Sequence, residues 1–466
     1  MLIDESILSL HRRLKSQDIS SSDLLQECFS AIDKHEPKIN ALITQADRQQ
    51  LQKAAKTLKI DHPLSGIPFI LKDAYLTAGL RTTSASHVLK DFIPQYSATL
   101  VNKLSDSGAL ILAKANMDAW GHGASSENTD FGPVKNPWDT SRVAGGSTGG
   151  VAAALAAGMT VFGIGEDTGG SIRNPANWCG VSGLKVTYGR VSRYGAIAYA
   201  SSLDTMGPMA RHVEDLAVIL QTIAGQDPLD ATSSPQPVPD YLAALKGDLK
   251  GKVIGLPQEY FQTGLDSEVK SSILSAAQEF TKLGARIDDT VSLPTLEYGV
   301  AVYYLLAPSE TSSNLARYDG IRYGSDRSHF TFETMRRIMI GTFALSSGYY
   351  DAYYKRAQQA RTLIIKDYQQ AFSRCDLLLG PVSPTPATKL GELIGDPVKN
   401  MLADVYTVTT NTAGIPSLSI PCGFSGSGLP IGLQLQGQMF SERLLLQAGH
   451  AYQQVTDWHD RRPPSL

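Results

Sequence analysis

The sequence predicts an α/β protein, and two observations carry that expectation. Short apolar runs (residues 67–71 and 109–114) alternate with an amphipathic helical segment at 98–104, the β–α pattern that builds a sheet under helices. Between residues 144 and 180 the chain also reads AGGSTGGVAAALAAGMTVFGIGEDTGGSIRNPANWCG, two small-residue loops closing on one Ala-rich helix. With 466 residues, 42% hydrophobic and 19% charged, the chain is long enough for a large core and ordinary in composition.

Residues 1–60 read as a helical arm. Ser20-Ser21-Ser22-Asp23 supplies N-cap chemistry, and Leu24, Leu25, Cys28, Phe29 and Ile32 follow at helical spacing. Pro37 is expected to end that helix and another to run over 45–59. Residues 67–71 read as a buried strand closing on Lys72-Asp73; 98–104 is a helix, 109–114 a strand and 116–118 the turn after it. Residues 226–250, rich in Pro, Asp and Ser, form a surface excursion. A strand at 252–256, a long helical region containing 358–363, late core strands at 377–381 and 418–421, and a last helix over 441–455 complete the chain. The expected organisation is one domain over 1–466. It comprises the arm (1–60), a catalytic core (61–225), and the rest of the sheet with recognition helices (226–466).

Composition excludes several function classes. A net charge of −3 is no footprint for independent nucleic-acid binding. Cys28, Cys179, Cys375 and Cys422 form no C-x-x-C pair and read as reduced, buried thiols of a cytoplasmic protein. The start of the chain is acidic and reads as no signal peptide. No run approaches 18 apolar residues, so no membrane span is expected.

The chemistry is expected in the two loops. Serines beside successive glycine N–H groups combine a nucleophile with donors for an oxyanion. GGSTGG fails as a phosphate loop, because Val151 stands where a lysine should follow. Residues 145–149 match G-x-S-x-G, but the polar turn sequence at 136–142 offers no strand before the serine, as a nucleophile elbow needs. No histidine falls in a Ser–His–Asp pattern, whereas a Ser–Lys mechanism needs only a neutral lysine. Lys72 ends a core strand, where lysine is rare unless paired or functional; pairing with Asp73 is the plain alternative. Lowering a lysine to neutrality near pH 7–8 costs roughly 3–5 kcal/mol, which a large packed core can supply.

The whole stretch from 144 to 180, together with GIPFILKD at 66–73, resembles the amidase signature family. The resemblance implies an α/β fold with a central mixed sheet covered by helices on both faces. It also implies a Ser-Ser-Lys mechanism: Ser171 as nucleophile, Ser147 after a cis peptide as proton relay, Lys72 as base. Backbone N–H groups of Thr168, Gly169, Gly170 and Ser171 would hold the oxyanion, with Asp167 and Arg173 fixing the loop. Thr148 stands where serine is commoner and Ala144 where proline is, and neither removes a catalytic group.

Residues 125–128, 309–320 and 341–351 resemble more narrowly the branch that serves as the glutamine-hydrolysing component of aminoacyl-tRNA amidotransferases. That resemblance implies free glutamine as substrate, with Arg361 for its carboxylate, Asp404 for its ammonium, and Ser125 also lining the site. It implies no metal or cofactor in this chain; ATP and Mg would be used by a partner. Partner subunits B and C would complete a heterotrimer, contacting Glu-tRNA(Gln), with Asp-tRNA(Asn) as a further acceptor. One departure is a shorter link between Gly324 and Gly341 than that branch carries. The alternatives are a stand-alone amidase for another small carboxamide and an inactive scaffold protein, which the presence of all three catalytic residues disfavours.

Overall fold

The computed structural model describes residues 1–262, 264–321 and 324–464. Its centre is a mixed sheet built from β1 (Leu42–Gln45), β2 (Pro68–Lys72), β3 (Leu110–Ala115), β6 (Phe162–Asp167), β7 (Ser182–Lys185), β8 (Thr205–Ala210), β9 (Val253–Gly255), β10 (Arg286–Asp288), β11 (Leu377–Pro381), β12 (Ser417–Phe424) and β13 (Pro430–Gly437). The spatial order is β1-β3-β2-β6-β8-β7-β12-β13-β11-β9-β10. Parallel pairs β3/β2/β6 lie on one side and β11/β9/β10 on the other, with antiparallel neighbours between them. β2, β6, β8, β11 and β13 are buried at every position, so both faces of these strands are covered. Helices flank the sheet, as expected for the fold class. The Ala-rich helix Gly149–Ala156 is buried along its whole length, because small side chains let a helix lie close against strands.

The N-terminal arm departs from the sequence reading in two places. Ser20 and Asp23 supply the expected N-cap, in the form of a capping box. The helix, however, runs on through Pro37 to Ile39 and closes on Asn40 at φ 58°. The lost Pro37 N–H is offset by tertiary contacts beyond it: Ile39 is buried, and Asn40 Nδ2 donates to the carbonyls of Phe131 and Gly132. Residues 42–45 then form the edge strand β1 against β3, and the next helix is shorter than expected, Arg48–Thr57, capped by Asp47. A further correction, outside the arm, concerns the turn sequence before the first glycine loop. β4 (Lys135–Asn136) and β5 (Asp139–Val143) pair there as a separate hairpin. This strand is not part of the main sheet, so an elbow geometry does not arise.

β6, β7, β8 and β13 carried no expectation from the sequence. β6 lies wholly inside the loop-helix-loop stretch, where its glycines obscure any strand signal. All four cysteines are free and buried. Among the described residues no helix is long and apolar enough to cross a membrane.

Candidate active site

β2 and β6 are parallel neighbours, with Leu71 opposite Ile164. Their carboxyl ends therefore emerge together and bring Lys72 against Glu166 near the end of β6. Lys72 Nζ lies 2.8 Å from Ser147 Oγ and 3.2 Å from Glu166 Oε2, with Lys72 and Ser147 each only 1% exposed. Asp73, the plain alternative partner, is occupied elsewhere: its Oδ1 lies 3.3 Å from Lys114 Nζ and its Oδ2 accepts the Thr83 N–H. A lysine at the end of a core strand is thus aimed at a serine, not at solvent.

The peptide between Gly146 and Ser147 is cis, as the family resemblance implies. Asp118 holds this turn: its N–H donates to Ser147 O at 3.2 Å, and its carboxylate accepts the N–H groups of Ser126 and Asn128. Burial raises the Asp118 carboxyl to about 7 against the pull of those two donors. Only glycine fits at 146, since a Cβ there would lie 2.0 Å from Asp118 Oδ2 and 2.6 Å from Ser125 N. The Thr148 N–H donates to Ser171 O at 3.2 Å, tying the first loop to the second. Ser171 is 7% exposed, the most accessible of the three residues.

Asp167 and Arg173 organise the second loop. The Asp167 carboxylate accepts the N–H groups of Gly170 and Ile172 and meets the Arg173 guanidinium at 2.9 and 3.0 Å. Burial would raise its carboxyl, but Arg173 and the other donors bring it down to about 2. Arg173 spends its remaining donors on Thr407 O, Asn411 Oδ1 and Gln434 Oε1, so a fully buried cation is satisfied on every side. One expected oxyanion donor is corrected by this network. The Gly170 N–H already serves Asp167 Oδ1 at 2.9 Å, which leaves Thr168, Gly169 and Ser171 as the candidate donors.

The structure separates the two residues expected to read the substrate's charges. Asp404 reaches the Ser171 loop: a Cβ on Gly170, whose φ is +143°, would meet Asp404 Oδ1 at 3.3 Å and Thr407 Oγ1 at 2.4 Å. Burial lifts the Asp404 carboxyl to about 8, with Arg337 opposing. Arg361 is engaged elsewhere, its Nε on Thr412 O at 2.9 Å and a terminal nitrogen on Ser202 Oγ at 3.0 Å. The cation that shares a wall with Asp404 is Arg337. It donates to Glu333 Oε1 at 2.7 Å and to the Tyr199 hydroxyl, and lies 5.1 Å from the ring centre of Tyr304, whose hydroxyl donates to Asp404. The sequence reading missed Arg337. The available signal was its place one turn before the family-like segment that starts at Gly341, on the same face as Glu333 four residues earlier.

Ser125 is buried at the cis turn and lines a cavity of about 200 Å3 together with Glu127, Glu333, Leu393 and Asn400. The short link expected between Gly324 and Gly341 seats Phe330 edge-on against Trp120 and brings Thr331 to the same cavity. Tyr323, at the start of that link, lies outside the described residues. His122 is structural, its two ring nitrogens bonded to Thr334 and Thr311.

A mixed sheet that delivers a buried lysine to one serine, and ties that serine's loop to the glycine loop of a second, is the architecture of an amide-cleaving enzyme. Residues 23–446 match the family model described as Amidase, and the chain belongs to that family. Within it, the chain is 48% identical to the A subunit of the glutamyl-tRNA(Gln) amidotransferase of Geobacillus kaustophilus, over 99% of both chains. It is 49% identical to the protein of the same name from Geobacter metallireducens, again over 99% of both. The crystal structure of the corresponding glutamyl-tRNA(Gln) amidotransferase chain from Thermotoga maritima superposes with a TM-score of 0.87 at 36% identity, covering 99% of this chain and 98% of that one.

Proposed function

We propose that this chain hydrolyses glutamine and supplies the ammonia for transamidation of Glu-tRNA(Gln), as the amidase component of a heterotrimer with subunits B and C. The observation that carries the reading is the 2.8 Å approach of buried Lys72 Nζ to Ser147 Oγ, on a loop bonded to that of Ser171. Near-full-length relatives named as glutamyl-tRNA(Gln) amidotransferase chains support the choice of substrate.

In the proposed mechanism neutral Lys72 takes the Ser147 proton while Ser147 takes that of Ser171. The Ser171 oxygen then attacks the carboxamide carbon. The oxyanion faces the N–H groups of Thr168, Gly169 and Ser171. Collapse expels ammonia, which receives its proton back through Ser147, and water releases glutamate from the Ser171 ester. Asp404 holds the substrate ammonium and Arg337 its carboxylate, a task that suits a guanidinium fork. No group in this scheme requires a cofactor; the ATP- and Mg-dependent activation of the tRNA-bound carboxylate, and contact with tRNA, fall to the partner subunits. The chain works in the cytoplasm, where the acceptor is made.

Ser171→Ala is expected to abolish ammonia release from glutamine, with Ser147→Ala and Lys72→Ala each losing several orders of magnitude. The three act as one unit, so their losses do not add. Mass spectrometry of acid-quenched enzyme should find a glutamyl ester on Ser171; an ester on Ser147 instead would overturn the assignment.

A further inference from the structure

The Lys72–Ser147 contact has a third member that the scheme above leaves unused. Glu166, on β6, places Oε2 3.2 Å from Lys72 Nζ, with side chains 2% and 1% exposed. Its other oxygen, Oε1, is buried with no hydrogen-bond partner among the described residues. The lysine also reaches Glu166 O at 3.4 Å, and Thr148, next to Ser147, donates to that same carbonyl. Glu166 thus touches both the base and the loop that carries the relay serine.

We propose that Glu166 is the positioning residue that supplies neutral Lys72: it fixes Nζ against Ser147 and accepts the Nζ proton before each acylation. This rests on the Ser-Ser-Lys reading above. In the step the Nζ–H bond of the lysinium breaks and an Oε2–H bond forms. The pair is neutral overall both before and after, so no net charge is created in the buried site and no proton need escape to water. The amine so produced then takes the Ser147 proton.

The surroundings favour the protonated carboxyl. An anionic carboxylate with one bare buried oxygen is costly, and protonation relieves it. Burial raises the Glu166 carboxyl, against the pull of Lys72 and of Arg193. The charged groups facing it from neighbouring segments are Asp167 on its own strand, Asp204 before β8 and Arg193. Asp204 accepts the N–H groups of Tyr199 and Ala200 and the Thr168 hydroxyl; burial, then the neighbouring Glu166, lift its carboxyl to about 8, so the two buried carboxyls resist ionising together. Tyr75, whose hydroxyl donates to Gly165 O at 2.6 Å, is kept neutral by burial. On the lysine side His122 is likewise held neutral by burial, with Arg337, Arg336 and Lys72 acting in the same direction.

A base whose proton moves within a buried pair gives a different pH profile from one that titrates against water. With an uncharged short-chain amide as substrate and the full chain as enzyme, wild-type kcat/KM should be flat over about pH 6–9. Glu166→Gln should replace that plateau with a single limb of unit slope, its midpoint displaced by about one pH unit or more from either wild-type limb. Glu166→Asp should restore the plateau at a lower rate. A wild-type profile that already rises with unit slope across that range overturns the proposal. So does a Glu166→Gln enzyme that loses rate while keeping the wild-type shape. Should Glu166→Gln fail to fold, the wild-type profile and Glu166→Asp decide. An active Ser171→Ala enzyme would instead bring down the underlying serine assignment, whatever Glu166 does.

Discussion

Replacing Arg337 should separate recognition of glutamine from amide cleavage. Arg337 is 2% exposed, bonded to Glu333 at 2.7 Å and stacked over Tyr199 and Tyr304 on the wall that also carries Asp404. Truncating one member of a buried charge pairing costs about 2–5 kcal/mol. At about 1.4 kcal/mol per tenfold, Arg337→Ala should lower kcat/KM for glutamine by roughly 30-fold to several thousand-fold. An uncharged short-chain amide has no carboxylate to lose, so its kcat/KM should fall by less than about tenfold; that residue of loss measures any loosening of the wall around Glu333. Arg361→Ala is the internal comparison. Among the described residues its guanidinium bonds neutral oxygens, Thr412 O and those of Ser202, so it should affect both substrates by a similar, small factor. Steady-state ammonia release with both substrates, plus a thermal melt of each variant, is the assay. Equal losses for the two substrates in Arg337→Ala would refute the reasoning. So would a glutamine-specific loss that is larger in Arg361→Ala.

Asp404 keeps its proton up to about pH 8 in the free protein, so glutamine should bind better as pH rises toward that value. Calorimetry at pH 7 in buffers of different ionisation heat should show proton release on binding, and Asp404→Asn should abolish it. Asp167 shows the opposite shift, from 3.8 down to about 2, so it contributes stability above pH 3.8 that is lost as pH falls through 2. Asp167→Asn should therefore cost on the order of 2 kcal/mol in denaturant unfolding at pH 7, the gap from wild type narrowing below about pH 3.8 and closing near pH 2. The isolated chain, at net charge −3, should show no salt-sensitive tRNA retention on filters at physiological salt. Tight retention would contradict the division of labour proposed within the heterotrimer.

What the amino-acid sequence determined by itself was local. The two glycine-serine loops, the helix between them and the lysine ending an apolar run are short-range patterns, so Lys72, Ser147 and Ser171 could be named without coordinates. β2, β3, β9, β11 and β12 were legible for the same reason, as apolar runs between turn residues. β6 was not, because Gly163 and Gly165 erase its strand signal, and β1 was not, because four edge residues are too few to show a period. The continuation of a helix through Pro37 was decided by contacts 91 residues away. The same holds for the site's charges. An arginine's role depends on which carboxylates and rings the fold sets around it, and Arg337 and Arg361 both lie on helices whose local sequence does not show what either guanidinium meets. Packing alone put the first beside Asp404 and tied the second to Thr412 and Ser202. Packing alone, likewise, buried Glu166 against Lys72 across a pair of parallel strands 94 residues apart in the chain.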